Sequence, residues 1–402
     1  MSNQSNKIKI AVITGSRADY GLLYTPLKAL QRHPDFDLQV LVTGMHLSPE
    51  FGNTYTIIEQ DGFYINLTVE TLLASDDAAS VCKSIGLGVM GFADAFKHLA
   101  PDLLLVLGDR YEIFAAVQAA LVHKIPVAHL AGGDTTEGAY DEALRHSITK
   151  MSHLHFATNA AAARRIIQMG ENPDHVYTVG SPGLDLIKNL NLLDKAQLEE
   201  RLGITFRSKN IVITFHPTTL DDTDIHQQCD ALFRALDALD TDVGLIFTKA
   251  NADNQGRTIN GLIDHYVAGN SNAVAYTSLG QLGYCSLVAV CDAVVGNSSS
   301  GLYEAPTLKT PTVNIGDRQK GRLCAESVIH CATNQHDIYS AITKAMSINR
   351  INAAKAVTNP YGDGTATQQI MQVLTQFSAP DKRHALIKKH FFSVAGIDDI
   401  SI

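Results

Sequence analysis

Short apolar, β-branched runs alternate with longer stretches of helical spacing along almost all of the 402 residues. Runs at 7–14, 38–43, 103–107, 125–130 and 153–158 read as buried strands. Residues 22–31, 78–99, 111–122, 142–151 and 160–169 read as helices. The run 176–179 leads into the breaker Gly180-Ser181-Pro182-Gly183, which marks a domain boundary. Residues 186–202 then form a connecting helix. A second series follows, with strands at 210–215, 242–248, 273–276 and 311–315, helices at 224–239, 256–268 and 279–285, and an apolar run at 287–295. A last helix covers 365–377. Strand–helix alternation on both sides of a hinge implies an α/β protein of two Rossmann-like domains facing across a cleft. The expected bounds are 1–183 and 184–377, with the last helix free to pack back on the first domain. A tail, 378–402, is charged and then apolar at Phe391 and Phe392, as an interaction segment or a chain end would be.

Composition narrows the classes. The chain is 45% hydrophobic with a net charge of −9, which argues against general nucleic-acid binding, and no long basic stripe is visible. Its six cysteines show no zinc spacing and read as reduced core residues. No uninterrupted apolar run approaches a membrane span. The N-terminus lacks the apolar core of a signal peptide, so a cytoplasmic, soluble protein without a membrane partner is expected.

Candidate chemistry collects where strands end. Gly296-Asn297-Ser298-Ser299-Ser300-Gly301 joins an apolar run to a helix starting near Leu302. A turn of small and hydroxyl residues leaves N–H groups for a phosphate, although serine and asparagine also cap ordinary helices. Glu304 could accept hydrogen bonds from sugar hydroxyls, and Arg318 or Arg322 could pair with a diphosphate. Arg17 closes the first strand in a turn without dinucleotide glycine spacing, so NAD is not indicated. Asp109 ends the strand at 103–107, with Arg110 beside it and Glu112 a turn on as candidate substrate ligands. Asp109 is either an acid or base or the cap of helix 111–122. Spacing alone does not separate the two. A second cluster spans His129, Asp134, Glu137, Asp141, Glu142, Arg145 and His146, with Asp141 also readable as a cap. His216 closes the first strand of the second half, and Asn251 and Asp253 lie in its next loop.

These blocks together resemble the hydrolysing UDP-N-acetylglucosamine 2-epimerases, in particular the branch that makes N-acetylmannosamine for sialic acid synthesis. The resemblance rests on TGSRADYG (14–21), GNTYTIIEQD (52–61), LGDRYEIF (107–114), YDEALRHSITKMSHLH (140–155), FHP (215–217), GNSSSGLYE (296–304) and NIGDRQKGR (314–322). It implies a glycosyltransferase B-type fold, no metal and no cofactor, and a homodimer or homotetramer. It further implies UDP held by Ser298, Ser299, Gly301, Glu304, Arg318 and Arg17, and catalytic roles for Asp109, Asp141 and His216. Many members carry HIEGGE where this chain has His129-Leu130-Ala131-Gly132-Gly133-Asp134. The first glutamate is therefore Ala131 here, and Asp134 is the alternative acid or base. The implied reaction converts UDP-N-acetylglucosamine to N-acetylmannosamine plus UDP. Alternatives are the same reaction on UDP-2,4-diacetamido-2,4,6-trideoxyglucose, and a B-type glycosyltransferase.

Overall fold

The computed structural model describes residues 7–73, 75, 77–136, 140–217, 224–250, 256–348 and 358–394. They form two compact units. Unit 1 comprises residues 1–134, 141–186 and 361–402, and unit 2 comprises 135–140 and 187–360.

Unit 1 carries strands β1 (Ile8–Thr14), β2 (Phe36–Thr43), β3 (Ile65–Val69), β4 (Leu103–Leu107), β5 (Val127–Leu130), β6 (Leu154–Ala157) and β7 (Val176–Thr178). They form one parallel sheet in the order β3-β2-β1-β4-β5-β6-β7. Helices α1 (Arg17–Arg32), α2 (Tyr55–Gln60), α3 (Ala78–Leu99), α4 (Tyr111–Val122), α5 (Asp141–Met151), α6 (Ala160–Gln168) and α7 (Pro182–Asn189) connect and follow them. Alternation along β1 explains the layering, because successive side chains leave opposite faces of a strand. Ile10 and Val12 join Leu23, Leu27 and Leu30 of α1. Ala11 and Ile13 join Phe92 and Phe96 of α3. Each fully buried leucine or isoleucine contributes about 1.5–3 kcal/mol.

Unit 2 runs from α8 (Lys195–Leu202) through β8 (Lys209–Thr214), α9 (Ile225–Asp237), β9 (Val243–Thr248), α10 (Gly256–Gly269), β10 (Ala273–Tyr276), α11 (Gly280–Val290) and β11 (Ala293–Gly296). It ends with α12 (Ser300–Tyr303), β12 (Thr312–Ile315), β13 (Val328–Cys331) and α13 (Gln335–Ser347). Its parallel sheet has the order β10-β9-β8-β11-β12-β13, the same winding as the first six strands of unit 1. In each sheet the order reverses beside the first strand, and ligands bind outside the strand ends at such switch points.

The chain then returns to unit 1 as α14 (Ala366–Gln376) and α15 (Pro380–Leu386). Ile370, Val373 and Leu374 of α14 enter the core that holds Leu23 and Leu27. Thr365 gives α14 no side-chain cap. Asp185 of α7 does so instead, with Ala366 N donating to its Oδ1 at 2.9 Å. The tail is tied back near its described end, where Phe392 N donates to Gly170 O at 2.9 Å.

Several elements depart from the sequence reading. The connecting helix at 186–202 is two helices, α7 and α8, because Asp194 and Gln197 form a capping box that starts α8 afresh. The apolar run at 287–295 opens as the end of α11, and its strand begins only at Ala293. Strand β3, strand β13 and helix α13 are additional. Helix α3 passes length and composition criteria for crossing a membrane, although no run was expected to. Its apolar residues are interrupted too sparsely, by Lys83, Asp94 and Lys97, and one face packs on the sheet through Phe92, Ala95 and Phe96.

Candidate functional site

In unit 1 the switch point lies between β1 and β4. Ser16 caps α1, its side chain accepting from Asp19 N at 3.4 Å, and sets Arg17 as the first helical residue. Burial lowers the Arg17 pKa. Gly108 leaves β4 with φ +75°, and Asp109 follows. The capping alternative for Asp109 is excluded, since Arg110 occupies the cap position of α4. Asp109 instead pairs with Arg145, a buried guanidinium on α5. Asp141 is four residues before Arg145 on α5, a spacing that puts both on one helix face. A carboxylate, a guanidinium and a second carboxylate are therefore placed by two strand-to-helix junctions.

The loop before Asp109 is held by His129. Its Nε2 lies 2.7 Å from Gly108 O, and a carbonyl only accepts, so Nε2 carries the proton. Burial pushes His129 down to about 3, which keeps the ring neutral. His46, buried after β2, bonds Thr14 Oγ1 at 3.0 Å and Thr54 Oγ1 at 2.7 Å. Burial lowers it to about 4. His129 belongs to the second cluster read from the sequence, whereas His46 was not singled out as a site residue. Their signal is position, since both sit in or just after a strand at its C-terminal end.

Arg110 and Glu112 engage each other. Arg110 donates to the buried Glu112 carboxylate at 3.2 and 3.1 Å, and Asp19 lies 3.9 Å from the same guanidinium. Burial raises Asp19 to about 6 despite the opposing pull of Arg110. Glu112 also dictates Gly44 (φ +57°), because a Cβ there would sit 2.6 Å from Glu112 Oε1. Asp134 is likewise engaged. Its oxygens accept from Thr158 Oγ1 at 2.9 and 3.1 Å and from Asn159 Nδ2 at 3.0 Å, and Asn159 caps α6.

In unit 2 the switch point lies between β8 and β11. Gly296 is obligatory, with φ +136° and a Cβ position only 1.9 Å from Thr214 O. Asn297 then grips the backbone of His216 on both sides. His216 N donates to Asn297 Oδ1 at 2.7 Å, and Asn297 Nδ2 donates to His216 O at 2.8 Å. The Asn297 carbonyl in turn accepts from Arg318 Nη1 at 3.0 Å and Gln319 Nε2 at 2.8 Å. One asparagine thus ties together His216, the serine turn and Arg318. Sequence reading passed over it.

The serine turn is a single helical turn. Ser299 is its N-terminal cap residue and Ser298 Oγ accepts from Ser300 N at 3.4 Å. The helix starts at Ser300, ahead of the expected Leu302. Tyr284 OH donates to Ser300 Oγ at 2.7 Å. Gly301 serves packing, since a Cβ would meet Thr312 Cγ2 at 2.5 Å. Among the described residues Glu304 Oε2 is buried with no hydrogen-bond partner, and burial raises the Glu304 pKa against a hydrogen bond with Ser300. Such a carboxylate is an acceptor in want of a donor. Arg322 is spoken for, with Nε donating to Thr135 O at 2.7 Å and Nη2 to Thr136 Oγ1 at 2.8 Å. Asn251 and Asp253 lie outside the described residues.

The chain is similar to known proteins in sequence and in fold. Residues 28–375 match the family described as UDP-N-acetylglucosamine 2-epimerase. The chain is 43% identical, over 83% of its length and 86% of the relative, to the GDP/UDP-N,N'-diacetylbacillosamine 2-epimerase (hydrolyzing) of Campylobacter jejuni. It is 36% identical, over 92% of its length and 94% of the relative, to polysialic acid biosynthesis protein P7 of Escherichia coli. Its fold matches the UDP-GlcNAc 2-epimerase of Methanocaldococcus jannaschii, solved with UDP-GlcNAc and UDP. The TM-score is 0.77 at 18% identity, covering 92% of this chain and all (100%) of that one. The chain belongs to the UDP-N-acetylglucosamine 2-epimerase family, in its hydrolysing UDP-sugar branch.

Proposed function

We propose that the chain acts on UDP-2,4-diacetamido-2,4,6-trideoxyglucose, releasing UDP and the free sugar inverted at C2. The observation that carries the choice is the 43% identity to the Campylobacter enzyme, against 36% to the E. coli polysialic acid protein. The latter favours a second reading, UDP-N-acetylglucosamine to N-acetylmannosamine plus UDP, which sequence alone had placed first.

The chemistry is common to both. The C2 proton of a sugar is not acidic, because no carbonyl adjoins it. If the C1–O bond to UDP breaks first, the leaving diphosphate takes the electron pair and C1 becomes oxocarbenium-like. A carboxylate then removes the C2 proton, leaving a C1–C2 double bond. Water adds oxygen at C1, and a proton returns to C2 on the other face. Asp109 is the proposed base, oriented by Arg145, with Asp141 assisting and Asp134 as the alternative. Ser298, Ser299, Arg318 and Arg17 would stabilise the diphosphate. Glu304 would accept from ribose hydroxyls, and His216 would donate to a phosphate oxygen or sugar hydroxyl. The buried, unpartnered Oε2 of Glu304 supports the nucleotide half of this assignment. The same reading carries a cytoplasmic homodimer or homotetramer, and the exposed Leu87 and Met90 of α3 (39% and 62%) support self-association.

The test is proton NMR in heavy water with both UDP-sugars, their GDP counterparts, and no acceptor. The expected product is the free 2-epimer carrying deuterium at C2, formed fastest from the diacetamido substrate. Retained C2 protium would refute the elimination, and no turnover without an acceptor would point to a glycosyltransferase.

A further inference from the structure

The strands of unit 1 all run the same way, so the ends opposite the candidate site gather at one edge of the sheet. For strands of four or five residues that edge is about 15 Å away. There the C-terminal segment roofs a cavity of about 750 Å3, lined among others by His153, His175, His384, Lys388, His390 and Phe392. None of these residues has a part in the reaction above.

The roof is tied down. Arg383 reaches Asp102 at 3.4 Å, Leu386 is buried, and Lys389 Nζ donates to Lys150 O at 2.8 Å and Ser152 O at 2.6 Å. Glu171, an acid at the cavity wall, is consumed by its neighbours. Lys150 and Lys389 both lie 2.6 Å from it and His155 3.0 Å. Burial alone would raise its pKa, but these partners outweigh burial and bring it to about 2. The other acid, Asp381, is exposed.

What remains is rich in donors. Val127 N donates to His153 Nδ1 at 3.1 Å, so the neutral ring holds its proton on Nε2. His153 is 95% buried (5% exposed) and lines the cavity. The exposed Lys388, His384 and His390 add an ammonium and two imidazoles, while Phe392, Leu386 and Ala385 supply apolar wall. The volume falls in the range of pockets that enclose small organic ligands, roughly 300–1,000 Å3.

We propose that this cavity is a second ligand site, which takes a sugar-sized molecule bearing a phosphate or carboxylate group. The anionic group meets Lys388, His384 and the His153 Nε2–H, and the sugar body lies against Phe392 and Leu386. The site is built on unit 1 alone and needs no particular substrate at the strand C-termini.

Histidine side-chain NMR on the full chain tests it, using glucose 6-phosphate, glucuronate and inorganic phosphate as probes and glucose as the neutral control. Saturable shifts of His153 and His384 signals are expected with the charged sugars. Exchanging Lys388→Glu together with His384→Ala changes two exposed side chains and should weaken binding by about tenfold or more. Arg318→Ala should leave it unchanged. Phosphate as tight as the charged sugars would remove the sugar subsite. No saturation with any anion, equal shifts with glucose, insensitivity to the double variant, or loss of binding in Arg318→Ala would each overturn the proposal.

Discussion

Glutamine at position 304 should separate binding from stability, with opposite signs. Glu304 holds one oxygen near Ser300 and leaves Oε2 buried without a partner. If a ribose hydroxyl supplies the missing donor, Glu304→Gln replaces one or two charge-assisted hydrogen bonds by weaker neutral ones. Such bonds contribute about 1.5–3 kcal/mol each against about 0.5–1.5 for neutral ones, so one or two of them should lower UDP affinity roughly five- to a hundredfold. The unliganded protein should respond the other way. Burial raises the Glu304 pKa above its ordinary 4.5, so the folded state binds this proton more readily than the unfolded one. Its contribution to stability is then full below the unfolded value and is lost as pH rises through the folded value. Above that window the wild type carries an ionised, partner-poor carboxylate that glutamine lacks. Unliganded Glu304→Gln should therefore melt no lower than wild type at about pH 7.5, and the difference between them should shrink at about pH 4. Calorimetric UDP titration and thermal unfolding at the two pH values measure both signs. A variant that melts lower at pH 7.5 and binds UDP normally would make Glu304 a structural residue.

Four further outcomes follow from the geometry. Asp109→Asn should reduce turnover by about 10²–10⁴ with UDP still bound, read by the deuterium NMR assay; near-normal turnover beside an inactive Asp134→Asn would move the proton transfer to Asp134. Asp134→Asn should also loosen the start of α6, because Thr158 and Asn159 lose a charged acceptor, so hydrogen exchange at residues 158–163 should accelerate; unchanged exchange would deny that anchor. Gly296→Ala forces a Cβ against Thr214 O and should cost more than about 4 kcal/mol, abolishing UDP binding; a variant that keeps its melting temperature would show that the β8–β11 pairing yields. Met90→Asp on α3 should shift the protein to a smaller species in light scattering if α3 is the self-association face, whereas an unchanged mass would remove α3 from that role.

Much of this was legible because it is local. The strand β4 at 103–107 and helix α4 at 111–122 appear with the expected bounds, since hydrophobic periodicity and the Gly108 break act within a few residues. The candidates Arg17, Asp109, His216 and Ser298 all follow strands that flank a switch point, which strand order alone predicts. What local pattern could not supply was partnership. Nothing near Asp109 in sequence announces Arg145, 36 residues on, nor does Asn297 announce His216, 81 residues away. Likewise Glu112, a candidate substrate ligand in the sequence, is occupied by Arg110 in the fold. Edge elements were missed for a related reason. Strand β3 is mostly half-buried, so its alternation is diluted and it resembles a loop.

The return of α14 to unit 1 has a consequence for how the protein is made. Residues 361–402 belong to unit 1 but are synthesised after residues 187–360 of unit 2. At about 5–20 residues per second that interval lasts roughly 10–35 s on the ribosome. Throughout it, Leu23, Leu27 and Leu30 of α1 lack Ile370, Val373 and Leu374 of α14, and Asp185 has no helix end to cap. Unit 2, nearly contiguous in sequence, can close its core first, and the half that begins translation finishes folding last. A nascent or truncated chain ending near residue 360 presents an open apolar groove on its older half, which is the kind of surface that holding chaperones and proteases recognise.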